Sequence, residues 1–375
     1  MKQPGYLADF DAARGLLMAL GIVLHTANLF EADGLTPAAS VAAQEGFAHL
    51  SESIHLFRMP AFFFLSGFFC AMSLTKMAPG ALISRRALRL LVPCASAFVA
   101  FNVLDLWVRY GGTRGGWRVA AEDPLLHLWF LVVLFVYIAI TATVVSTLGG
   151  RLSARQGSRL PHVRWLPAAI LLCILSAYVP HAAGTFAPAL IYPRWLFGVS
   201  LFTVLEYAPF FVLGLISFAV PGWLDVIRRR PRAKVFVFAI TCIGGPWILA
   251  APDLSPGAAI GVEASLRWLA TLCLFAPLTA LFADRRVLSQ RLAAPAYSIY
   301  LIHHVLVTLF ALGLSRWLPP AAGKFVLIVL VTTLFAYGFH VHVVARSATL
   351  RLLFNGQTDR PKEKAAPPLE ATRPE

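Results

Sequence analysis

Charge is scarce in this 375-residue chain. Only 13% of its residues are Asp, Glu, Lys or Arg, and 58% are hydrophobic, whereas a soluble domain carries roughly 25% charged residues to keep its surface in water. A soluble globular protein is excluded on that ground. Cysteine is sparse as well: Cys70, Cys94, Cys173, Cys242 and Cys273 fall in or beside apolar runs with no metal-type spacing, and read as small core residues. No metal site is expected. No cleavable leader is expected either, because polar and acidic residues precede the first apolar run and no small-residue cleavage pattern follows it. There is no visible internal repeat, and no Ser or Cys sits in a recognisable nucleophile elbow.

What the chain has is long apolar runs. Stretches able to cross a bilayer of about 30 Å lie near 12–30, 47–75, 88–109, 125–148, 166–180, 196–219, 234–251, 265–283, 296–314 and 324–345. The fifth and seventh are short. The sequence therefore predicts an all-α, polytopic membrane protein of about ten transmembrane helices. Its basic excess, 32 Lys and Arg against 18 Asp and Glu, alternates by loop. Even-numbered loops hold sixteen basic residues, among them Lys76, Arg85, Arg86 and Arg89, while odd-numbered loops hold six. By the positive-inside rule both termini are cytoplasmic, which needs an even number of spans. The charge is thus a topology signal, and nucleic acid is not an expected partner. Residues 1–350 read as one membrane domain, and 351–375, rich in proline and charge, as a disordered cytoplasmic tail.

Ionisable residues inside the spans are costly, so each is a candidate functional group. Arg14 and His25 are eleven positions apart in the first span, which returns to within about 20° of the same helix face and advances ~16 Å. Asp11 precedes Arg14 by three positions, close enough to pair with it. In the second span Glu52, His55 and Arg58 form a stripe at spacings of three, with Glu52 expected at the depth of His25 and Met59-Pro60 expected to kink the helix. Beyond it, "SRRALRLLVP" places Arg86 and Arg89 on one face at the cytoplasmic mouth, where guanidinium forks suit phosphate; simple adherence to the positive-inside rule is the alternative. His127 and Trp129 open the fourth span, and Tyr297, Tyr300 and His304 recur at three and four in the ninth. These can line a cavity or serve as interhelical hydrogen bonds and interface anchors. His340 and His342 read as structural. Glu206 and Arg267 are a pair or separate polar linings.

A histidine in a water-poor cavity with a carboxylate at similar depth can act as general base toward a hydroxyl, and His25 with Glu52 fits that description. A mouth made of Arg14, Arg86 and Arg89 fits a phosphorylated donor with a thin reactive arm. Coenzyme A thioesters have this shape: a pantetheine arm of ~15–20 Å, at roughly 1.3 Å per bond, matches the Arg14 to His25 offset. The expected chemistry is acyl transfer with donor and acceptor entering from opposite faces.

The R-x10-H pair in "ARGLLMALGIVLHT", the segment "FRMPAFFFLSGFF", the R-x-x-R element "RALRLLVP", then "HLWFLVVLF" and "AYSIYLIHHV" occur in an order that resembles the acyltransferase-3 family of integral membrane acyltransferases. The resemblance covers roughly residues 9 to 345. Within the family it is most similar to the branch that succinylates osmoregulated periplasmic glucans in the inner membrane of Gram-negative bacteria. That resemblance implies succinyl-CoA as donor, with acetyl-CoA the alternative, and no permanently bound cofactor. Catalysis is expected from His25, Glu52 and Arg14, and donor binding from Arg14, Arg86, Arg89 and Tyr297. Acyl and acceptor contacts are expected from Arg58, His55, Trp129 and His304, with Arg58 paired to the distal succinyl carboxylate, which must be paired if buried. The expected partners are cytoplasmic acyl-CoA, a periplasmic glucan acceptor and membrane lipid, with a homodimer left open. Two other readings remain: O-acetylation of another surface carbohydrate, and a transporter in which the same residues form a pathway.

Overall fold

The computed structural model describes residues 7–111, 118, 121–149, 163–195, 197–314 and 320–357. Among the described residues the chain is helical, and ten helices are long and apolar enough to cross a membrane. In chain order they are α1 (Ala8–Asn28), α2 (Val41–Leu74), α3 (Pro79–Tyr110), α4 (Leu126–Thr147), α5 (Leu166–Phe186), α6 (Leu201–Ala219), α7 (Pro231–Leu249), α8 (Pro256–Phe282), α9 (Arg286–Leu314) and α10 (Ala321–Val344). The protein is a multi-pass membrane protein. The two short expected spans exist: α5 breaks between Leu175 and Tyr178, ahead of Pro180, which has no N–H to donate, and α7 begins at Pro231.

The bundle is built around α1 and α2. α1 packs against α9, α2, α8 and α10, and α2 packs against α6, α8, α7 and α4. α1 and α2 carry Asp9, His25 and Arg58, and are surrounded by other helices on most sides. Backbone contact between α2 and α6 is possible because of two glycines: a Cβ on Gly67 would meet the Phe211 carbonyl oxygen at 2.0 Å, and one on Gly214 would meet that of Phe64 at 2.0 Å. Without a hydrophobic drive between helices in lipid, such close packing supplies the association energy. α2 is helical without interruption from Val41 to Leu74, with Pro60 inside it.

Two π turns interrupt the regular pattern, Phe98–Asn102 within α3 and His340–Val344 at the end of α10. A π turn adds one residue to the helical turn, and so rotates the face presented by everything that follows by about 100°. In α3 Asp105 lies three residues beyond it. After α10 a short helix, Ala348–Asn355, packs on α3 and α9, with Phe354 stacked on Phe101 at 5.4 Å. Ordered packing thus extends past residue 350, and the rest of the expected tail, 358–375, lies outside the described residues.

At the basic end, Asp9 receives both Arg228, at 2.7 Å, and the Thr279 hydroxyl, at 2.7 Å. Arg228 also lies over the Phe10 ring at 4.6 Å. This ties the short helix Pro221–Arg228 and α8 to the start of α1.

Candidate active site

Four imidazoles meet in the bundle. His25 comes from α1, His127 from the turn that opens α4, and His303 and His304 from α9. The His25 ring lies 4.6 Å from His304, 5.2 Å from His303 and 6.2 Å from His127, centroid to centroid. His127 in turn stacks on His304 at 4.9 Å and 9°. Tyr300, one turn before His304, donates its hydroxyl to the His127 carbonyl and holds that turn against α9. His303 Nδ1 is engaged by the Tyr300 carbonyl at 2.7 Å, whereas its Nε2, the His25 Nε2 and both ring nitrogens of His127 are buried without a hydrogen-bond partner. One such group left unpaired costs about 1–3 kcal/mol, so these four nitrogens are the atoms of the cluster that call for a polar partner.

Arg58 of α2 enters the same space. It is buried, and its Nε donates to the Leu17 carbonyl at 3.1 Å. Its Nη2 would lie 2.5 Å from a Cβ on Gly21, and the His303 Nε2 would lie 3.0 Å from that same atom. Arg58 therefore sits beside His303, about one turn along α1 from His25. Among the described residues no carboxylate pairs with it. A buried guanidinium without an acid is expensive unless an anionic ligand supplies one.

The carboxylate of the cluster is Asp105 of α3. It is 1% exposed, accepts from His304 Nδ1 through one oxygen and from Arg109 Nε at 2.9 Å through the other. Arg109 reaches on to the Thr308 hydroxyl of α9. Asp123 lies just outside α4 within electrostatic range of His304; burial pushes its carboxyl up, against the opposing effect of Arg194, 3.3 Å away. His304 is the cluster member turned toward this rim.

Glu52 is not in this cluster. It is exposed on α2, next to Ser51, which bonds Asn28 at the end of α1, and it interacts with Glu31 instead of His25. Burial raises the Glu31 carboxyl above its ordinary value, and Glu52 and Asp33 add to this against a hydrogen bond with Ser51. His55 is exposed, in range of Arg58 and Arg267. Arg267 is clamped by Glu206 at 2.5 Å and Glu263 at 2.6 Å, so the sixth and eighth spans are joined by an ion pair. Trp129 packs on Phe63 and Tyr207 rather than on the imidazoles. His340 bonds Ser298 across α9 and α10 at 2.8 Å.

At the basic end Arg14 pairs with Asp11 at 3.2 Å, as their spacing predicts, and stays 47% exposed. Arg86, half-buried on α3, is in electrostatic range of Arg14, Arg85 and Arg89. The fold thus gathers into one basic mouth residues from two helices. Tyr297 donates to the Arg89 carbonyl at 2.9 Å and stacks on Tyr300 at 6.4 Å. Through these two tyrosines α9 links the basic mouth to the His127 turn.

The imidazole cluster lies inside the helical bundle, arginines of α1 and α3 gather near one another, and comparison with known proteins gives the class. Residues 7–341 match the acyltransferase domain of the acyltransferase-3 family, and the chain belongs to that family. It is similar to glucans biosynthesis protein C of Escherichia coli O1:K1 / APEC, with 23% identity over 92% of this chain and 94% of the relative. The protein of that name from Escherichia coli K12 is 22% identical over the same shares. No solved structure matches the chain.

Proposed function

We propose that the protein transfers a succinyl group from cytoplasmic succinyl-CoA to hydroxyls of a periplasmic glucan, in the inner membrane of a Gram-negative bacterium with both termini in the cytoplasm. The observation that carries the succinyl assignment is Arg58, a buried guanidinium with no carboxylate partner among the described residues, about one turn along α1 from His25. The two carbonyl carbons of a succinyl group are separated by three bonds, about 4 Å at the same advance per bond. A thioester carbonyl at His25 therefore leaves the distal carboxylate within reach of Arg58. An acetyl group would leave that charge unanswered.

In this mechanism Arg14, Arg86 and Arg89 hold the nucleotide phosphates at the mouth as guanidinium forks. The pantetheine arm passes the Tyr297 and Tyr300 side of α9. The acceptor enters from the opposite end, and His25 takes its hydroxyl proton as general base. Direct transfer needs no covalent enzyme intermediate. The similarity to glucans biosynthesis protein C supports a glucan acceptor.

The test is transfer of labelled succinyl from succinyl-CoA to β-glucan by purified protein in detergent, for wild type and His25→Ala. The expected result is labelled glucan with wild type and none with the folded variant. Product from acetyl-CoA only would replace the donor, and product with another glycan only would replace the acceptor. Transfer surviving in His25→Ala would remove the base. Detergent abolishes any gradient, so turnover there also excludes transport as the activity.

A further inference from the structure

Of the four clustered histidines, three share a difficulty. Among the described residues His25, His127 and His303 have no carboxylate partner, and they lie in range of the buried Arg58. A proton taken by any of them becomes a second buried positive charge beside the first, which low dielectric penalises. His304 differs. Its Nδ1 is bonded to Asp105, which Arg109 fixes through the other oxygen, and its ring faces His25 at 4.6 Å.

We propose that Asp105 and His304 form a carboxylate–imidazole dyad that stores the proton His25 withdraws from the acceptor hydroxyl, with Asp105 a positioning residue acting through His304. This deepens the transfer mechanism proposed above and rests on it for the identity of the acceptor. The bond to Asp105 sets the tautomer: Nδ1 carries the hydrogen, so Nε2 is the free base. The groups around His304 are His25 of α1, Asp105 of α3, Asp123 before α4, His127 of α4 and His303 on its own helix, with Arg109 on the other oxygen of Asp105 and Arg58 beside His303. The negative charge bonded to its imidazole is that of Asp105.

The step balances as follows. The acceptor O–H bond breaks and its proton passes to His25 and on to His304, while the acceptor oxygen bonds to the thioester carbon. The C–S bond then breaks, and the sulfur leaves with its electron pair as thiolate. The stored proton returns through His25 to that sulfur, giving ester and free thiol. Asp105 remains a carboxylate throughout and stabilises the imidazolium for the lifetime of the adduct.

The test uses full-length protein in detergent and two independent readouts. In ¹⁵N-histidine NMR spectra, His304→Gln assigns the His304 signal. The dyad requires that the His304 ring carry its hydrogen at Nδ1 with the ¹⁵N shift of a strongly hydrogen-bonded N–H, and that this signature be lost in Asp105→Asn. An unchanged Nδ1 signal in that variant overturns the dyad.

In the transfer assay, Asp105→Asn should lower kcat by about 10²–10⁴-fold with donor KM nearly unchanged, and Asp105→Glu should recover part of it. The acid limb of the rate profile should move to lower pH, because the store must be unprotonated to receive a proton and the amide weakens its hold. A kcat loss with an unmoved limb marks Asp105 as a tie between α3 and α9 and overturns the proposal. If wild type transfers no acyl group, the proposed function falls, and the NMR spectra still decide whether the dyad exists.

Discussion

The guanidinium of Arg58 lies against the bare α-carbon of Gly21, in space a side chain at that position would fill: a Cβ there would lie 2.5 Å from Arg58 Nη2 and 3.0 Å from His303 Nε2. Glycine is costly inside a helix, by roughly 1 kcal/mol relative to alanine, so its use here is explained by what it admits. Gly21→Ala should raise intrinsic helix stability of α1 and still lower transfer at least about tenfold, since misplacement of a reacting group by 1 Å is enough for larger losses. Thermal unfolding and transfer rate measured on the same preparation would separate the two effects.

Removing the charge itself should change which acyl group is used. With Arg58→Ala, succinyl transfer should fall by 30-fold or more, the consequence of about 2–5 kcal/mol for a buried charge left without its partner. Acetyl transfer should fall less. Arg58→Lys should not restore the preference, because an ammonium does not reproduce the planar fork. The measurement is kcat/KM for both donors in each variant, and an unchanged succinyl-to-acetyl ratio would sink the role of Arg58.

Stability at the basic end rests on Asp9. Asp9→Ala strands Arg228, whose side chain is only 21% exposed, and should destabilise the protein by about 3–5 kcal/mol. Asp9→Ala with Arg228→Ala should recover part of that loss, as expected for residues in direct contact. Unfolding of the purified protein in detergent, read for both single variants and the double, checks it.

A pH effect should come from the end of α1. Burial raises the Glu31 carboxyl above its ordinary 4.5, with Glu52 and Asp33 adding to the shift. A carboxyl raised on folding is a net cost while ionised, so stability should increase as pH falls through the raised value, and the gain is complete below the unfolded one. Glu31→Gln should therefore have a higher melting temperature than wild type near pH 7 and lack the wild-type gain on acidification. A variant no more stable at pH 7 would refute this.

The bundle and half of its site were legible in the sequence. Span number follows from apolar length and loop charge, both local properties. Pairs within one helix, such as Asp11 with Arg14, follow from spacing alone. Arg58 and His25 were visible because an ionisable residue in an apolar run stands out on cost. Asp105 carries the same signal only weakly: it lies near the end of its run, and the π turn at Phe98–Asn102 turns it to a face that regular periodicity does not assign. His303 was missed because only one member of an adjacent pair can continue a stripe, and in the structure both are buried.

What the sequence by itself determined was that this chain must enter a membrane as ten helices and bury arginine and histidine there, because hydrophobic length and desolvation cost are additive along the chain. Which carboxylate serves which histidine was decided only by the tertiary structure. That choice depends on how the helices pack around α1: Glu52 is exposed on α2, while Asp105 of α3 is buried against His304.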